Sequence, residues 1–176
     1  YSIGGHSALK AAADGLPEPF KAVAVVSTPL DLAQSQAHID APSQAVYRRF
    51  LLSLLNDIYE TESRRGNLPM PPAGLASAES LRDYDALLTA HRGDGRGCVD
   101  TFYREASARW VLDKIQTPVL AVISPNDPMI PTTAVQACLE EHRHRVDLRL
   151  APGGHIYFPD HTDIGEPGPK GLLEQI

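Results

Sequence analysis

Two cysteines in 176 residues, Cys98 and Cys138, are too few for a disulfide framework, and they form no C-x-x-C pair. They read as reduced thiols, in the core or at the surface, which favours a cytoplasmic compartment. Basic residues are short as well: 16 Lys and Arg stand against 22 Asp and Glu, for a formal net charge of −6. A chain of that sign has no electrostatic reason to hold nucleic acid. Long apolar runs are missing, so no segment reads as a membrane span. No secretory leader is visible either, but a chain that opens on Tyr-Ser-Ile-Gly-Gly, inside what reads as a motif, could not show one. What remains, 43% apolar and 22% charged, is a globular composition sized for one domain or most of one.

Proline and glycine, in contrast, punctuate the chain clearly. Residues 3–15 read as a helix ending at Gly15. KAVAVVSTP, 21–29, reads as a strand buried on both faces and stopped by Pro29. A long helix is predicted over 43–62, with Val46, Tyr47, Phe50, Leu51, Leu54, Leu55 and Ile58 as its buried stripe. Breakers at 66–74 and 91–97 set off helices over about 77–90 and 99–115. TPVLAVISPND, 117–127, is a second buried strand with a turn. A helix over 132–144 leads to a third strand, 146–155, running into a glycine loop. A linker at 165–171 precedes a last helix beginning at Leu172.

Strands separated by helices give α/β order. The about 90 residues between the first two strands far exceed what a crossover needs, which predicts a mostly helical cap. The expected parts are a core segment 1–30, a cap insertion 31–115 and a second core segment 116–176. The Arg-Gly-Asp at 92–94 does not signify adhesion in an acidic chain of cytoplasmic type, and the spacing of Gly165, Gly168 and Gly171 is too short a series for collagen.

Three residues stand where an α/β sheet presents its chemistry, beyond the carboxyl ends of strands. Ser2 precedes a helix, Asp127 follows the second strand in PNDP, and His155 follows the third in GGH. A serine hydroxyl is a weak nucleophile unless a base takes its proton and a sharp turn presents its oxygen. Gly4 stands two residues after Ser2, as in the second half of G-x-S-x-G, and Gly5 thins the first helical turn. The N–H of Ile3 becomes an oxyanion donor. His155 is the expected base, Asp127 the residue that orients it, and Gly153 and Gly154 free the loop that carries it. Ser2 and His155 should then lie about 3 Å apart, with Asp127 on the other ring nitrogen. Alone, each has a plainer reading: Ser2 as a helix N-cap, Asp127 as a turn residue, His155 as a loop histidine. Asp31, after the first strand, is a rival acid whose alternative is to cap the start of the insertion. His6 lines the pocket or packs, and His91 sits in a loop. His142 and His144, two apart on a predicted helix, do not share a face, and a cluster of His155, Asp160 and His161 is the other metal reading; no metal site is expected.

Several blocks in order resemble the YheT-like, or AB-hydrolase-4, branch of the α/β-hydrolases. YSIGG is similar to its G-[YF]-S-[LIM]-G-G elbow without the first Gly. AVVSTPLDL, LRDYDALLTA with GCVDTFYREASA, PVLAVISPNDPMIP and LAPGGHIYF resemble the blocks that follow. Asn126 replaces the first of a paired acid, TAHRGDGRG departs from the cap motif, and Tyr157 stands where Gly is usual. The resemblance implies the C-terminal part of an α/β-hydrolase fold, with parallel strands, flanking helices and a helical cap. It implies a Ser2–Asp127–His155 triad that cleaves acyl or lipid-like carboxylic esters through an acyl-enzyme, without cofactor or metal. Thioesterase or acyltransferase chemistry, or a non-catalytic interaction module, are the alternatives; a binding module has no need of all three residues. It further implies upstream strands and a second oxyanion donor outside these 176 residues, an open sheet edge beside the first strand, and little activity from this piece alone.

Overall fold

The computed structural model describes residues 1–91, 98–165 and 171–175. The Arg-Gly-Asp tripeptide, nearly all of the breaker at 91–97, and most of the linker at 165–171 fall outside the described residues. The chain forms α1 (Ser2–Asp14), β1 (Val23–Val26), α2 (Leu32–Asp40), α3 (Ala45–Arg64), α4 (Leu81–His91), α5 (Val99–Ala106), β2 (Val119–Ile123), α6 (Thr132–Glu141), β3 (Val146–Leu150) and α7 (Leu172–Gln175). It divides into two compact units, one of Tyr1–Ser35 with Ser107–Ile176, the other of Gln36–Ala106.

The first unit is built on a parallel sheet in the order β1-β2-β3. Val23 pairs with Val119 at one end of the first ladder, and Ile123 with Leu150 at the far end of the second. Alternation along the strands divides the core. Val25, Ala121 and Ile123 join Leu9, Ala12, Leu112, Ile115, Val135 and Leu139 in one cluster. Val26 and Val122 join Ala151, Ile164 and Leu172 in another. Residues two apart on a strand share a face, so the Val-Leu-Ala-Val-Ile run of β2 serves both clusters. Leu112, with no exposed surface, contributes about 1.5–3 kcal/mol by burial.

The strands are shorter than the apolar runs that predict them. β1 ends at Val26, three residues before Pro29, and Ala24 is exposed, so the run is not buried throughout. α1 closes on Gly15 at φ +96°, where a glycine is favoured. The helix expected over 99–115 is instead α5 followed by two short 3-10 turns. Ser107 breaks it in an extended conformation, and its Oγ accepts the Leu32 N–H at 2.9 Å. α2 occupies a stretch, 32–40, that the sequence reading leaves unassigned.

The second unit is helical. Leu52 and Tyr59 of α3 pack with Leu75 and Tyr84 in its core. Asp40 accepts the N–H groups of Leu81 at 2.8 Å and Arg82 at 3.1 Å, capping α4. The Tyr103 hydroxyl donates to Asp85 at 2.8 Å. Burial raises the Asp85 carboxyl above its ordinary value, although this hydrogen bond opposes the shift. Most of the predicted stripe of α3 does not face inward: Val46, Tyr47, Phe50, Leu54 and Ile58 are all exposed, Leu51 is half-buried, and Leu55 alone of the seven packs against the core. The inward arc is Leu52, Leu55 and Tyr59, and Arg48 donates to the Asp40 carbonyl at 3.0 Å. Among the described residues, no helix is long and apolar enough to cross a membrane.

Candidate active site

The site lies within the first unit. Ser2 is not an N-cap: Tyr1 holds that position, and Ser2 begins α1 with φ +50°, a left-handed conformation uncommon outside glycine. The first helical bond runs from Gly5 N to Tyr1 O at 3.2 Å. The N–H of Ile3 therefore lies in the first turn, where helices have no internal acceptor to offer. Gly5 meets the loop after β1 so closely that a Cβ there would fall on the Thr28 side chain. Gly4 faces open space, and nothing in the packing requires a glycine there. His6 is buried rather than lining a pocket; its Nδ1 donates to the Pro29 carbonyl at 2.8 Å.

Asp127 ends a turn that begins directly after β2, closed by its N–H on Ser124 O at 3.1 Å. Its side chain is fully buried. One oxygen, Oδ1, accepts the Met129 N–H at 2.8 Å. Both oxygens face His155 Nδ1, at 2.9 Å from Oδ2 and 3.1 Å from Oδ1. A carboxylate only accepts, so Nδ1 carries the proton. In neutral His155 the lone pair of Nε2 is then left for the Ser2 hydroxyl, 2.9 Å away. Residues 153 apart in sequence are thus joined in one line: carboxylate, imidazole, hydroxyl.

In the histidine loop Gly153 is closely packed, whereas Gly154 has room around it. A Cβ on Gly153 would lie 2.7 Å from Phe158 Cδ1, and the Gly154 N–H donates to Tyr157 O at 2.8 Å. Ser124, which the sequence reading does not single out, has no exposed surface, and its Oγ donates to Gly153 O at 2.6 Å. The one signal for it in the sequence is a hydroxyl at the end of an otherwise apolar strand.

Asp31 is engaged elsewhere. Its Oδ1 accepts the Gln34 N–H at 3.1 Å, capping α2, and its Oδ2 pairs with Arg109 at 2.8 Å. Burial pushes its carboxyl up, but the hydrogen bonds from Arg109 and Gln34 outweigh it and hold the group below its ordinary value. Arg109 also lies over the Trp110 ring, 4.5 Å from its centroid. His142 and His144 lie beyond the end of α6, not on it, with their rings stacked 6.3 Å apart. Asp160 and His161 are exposed, and His91 is the last residue of α4. Among the described residues, no group of three His, Cys, Asp or Glu could hold a metal ion. Cys98 and Cys138 are free thiols, one exposed and one buried.

No protein-family model matches the chain. Over 162 residues it is 32% identical to the protein named "Putative esterase YheT" of Escherichia coli K12, a match that covers 90% of this chain and 47% of that one. The chain thus spans about half the length of this relative. Among solved structures, an esterase of Pyrococcus furiosus aligns at TM-score 0.44 and 15% identity, over 89% of this chain and 43% of its own. An acylaminoacyl peptidase aligns at 0.47 and 16%, over 88% and 19%. DcsB, solved with a substrate analogue, aligns at 0.43 and 22%, over 88% and 54%.

Proposed function

Because the chain is 32% identical to a protein named a putative esterase and folds around a parallel sheet flanked by helices, we propose that it is an α/β-hydrolase and carries the reacting groups of a carboxylic-ester hydrolase. The observation that carries the proposal is the unbroken line from Asp127 through His155 to the Ser2 hydroxyl, with contacts of 2.9 Å on either side of the ring. His155 takes the Ser2 proton as Oγ attacks the ester carbonyl carbon. The resulting oxyanion receives the Ile3 N–H and the positive end of α1. Asp127 keeps Nδ1 protonated and stabilises the imidazolium. As the tetrahedral intermediate collapses, His155 gives its proton to the departing alkoxide and leaves an acyl-Ser2. Water, deprotonated by His155, attacks that acyl group; Ser2 is regenerated and the free acid departs. No metal or cofactor enters these steps.

A fluorophosphonate probe and a p-nitrophenyl ester, applied to the intact protein, test this reading. Labelling and turnover are expected, with Ser2→Ala abolishing the label and lowering turnover by roughly 10,000-fold or more. Equal labelling of wild type and Ser2→Ala would falsify the nucleophile assignment.

A further inference from the structure

The β2–β3 ladder stops just short of the chemistry. Ile123 pairs with Leu150, and the bond from Ala151 N to Ile123 O at 3.0 Å is the last backbone rung. Past it both strands leave the sheet, one through the turn that carries Asp127, the other through the loop that carries His155. The spacing of these two side chains therefore depends on two irregular segments and not on the sheet itself. One side chain spans them. Ser124 Oγ donates to Gly153 O at 2.6 Å and accepts the Asn126 N–H at 3.2 Å. Donor and acceptor are both used, in a residue with no exposed surface. Asn126 is the residue before Asp127, and Gly153 stands two residues before His155. On its other side Gly153 is held by the Phe158 ring, 2.7 Å from where a Cβ would stand.

We infer that Ser124 is a positioning residue: its hydroxyl acts as a side-chain rung beyond the ladder and sets the separation of the acid turn and the histidine loop. The inference rests on the hydrolase reading of Ser2, Asp127 and His155. Without the hydroxyl, the Gly153 carbonyl loses its donor and the Asn126 N–H its acceptor, and His155 is free to drift from Asp127. A drift of about 1 Å in a catalytic group can cost on the order of 100-fold in rate.

The experiment compares wild type, Ser2→Ala, Ser124→Ala and Ser124→Thr of the intact protein, by ester hydrolysis and by the low-field proton NMR signal of the His155 Nδ1–H on Asp127. Ser124→Ala should lower kcat about 10- to 100-fold with KM within about 2-fold. The low-field signal should be lost or moved upfield, and Ser124→Thr should restore both. Wild-type kcat together with an unchanged signal in Ser124→Ala overturns the inference. So does an activity loss that only tracks loss of folded protein while the signal stays in place. If Thr is too large to fold, the Ala variant decides alone. The NMR signal needs no turnover, so it tests Ser124 even if Ser2→Ala proves as active as wild type, a result that sinks the hydrolase reading instead.

Discussion

Asp31 and Asp127 both follow strands, and their oxygens decide which one can serve His155. Asp127 turns both toward His155 Nδ1, with Oδ1 also accepting the Met129 N–H, whereas Asp31 spends one on the Gln34 N–H and one on Arg109. Asp127→Asn should therefore lower turnover roughly 1,000-fold or more, because the amide no longer fixes the protonated ring nitrogen. Asp31→Asn should leave turnover within about 2-fold and change the pH dependence of stability instead. The Asp31 carboxyl is held low in the folded chain. Its contribution is thus present above the unfolded carboxylate range and disappears as pH falls through the lower folded value. Melting curves from neutral to acid pH should show wild type above Asp31→Asn by at most about 1 kcal/mol at pH 7, since the pair is partly exposed, and the two curves converging in acid. Sequence alone put both aspartates after strands and so left both as candidates. Side-chain partners far along the chain, Arg109 for one and His155 for the other, carry the distinction. Ser124 was illegible for the same reason: its partner oxygen belongs to a residue 29 positions on.

Among the elements, α3 teaches the most because its sequence carries two apolar arcs. Periodicity finds the wider one, Val46, Tyr47, Phe50, Leu51, Leu54, Leu55 and Ile58, of which Leu55 also borders the core, but cannot say which arc meets a partner. Leu75 and Tyr84, downstream, supply that partner to the narrower arc instead. Leu52→Ala, at a 7% exposed site, should cost about 2–5 kcal/mol in chemical denaturation. Phe50→Glu, at a 61% exposed one, should stay within about 0.5 kcal/mol. The reverse ranking would return the stripe to the core. α5 shows a second limit. Nothing local in its sequence announces the break at Ser107, because the break satisfies a distant N–H, that of Leu32.

For the whole chain, alternation of apolar runs and breakers made the α/β order readable, along with three strands and a long helical stretch between the first two. The two compact units divide at 36 and 106, inside the expected insertion of 31–115. Each has a core of its own, one around Leu112 and β2, the other around Leu75 and Tyr84. Leu75→Ala should consequently speed amide exchange across Gln36–Ala106 while leaving β2 protected, and Leu112→Ala should do the opposite; exchange measured by mass spectrometry separates these outcomes.

The backbone of Ser2 carries one more consequence. At φ +50° a residue with a side chain costs about 1–2 kcal/mol relative to glycine. Ser2→Gly should then be inert and yet melt at a higher temperature than wild type. If Ser2 is the nucleophile proposed above, mutation has a downhill route away from the chemistry at this position, and selection for turnover is what keeps a serine there. Across descendants of this chain, a glycine at position 2 would mark a lineage in which that selection has lapsed, legible as decay from a single codon.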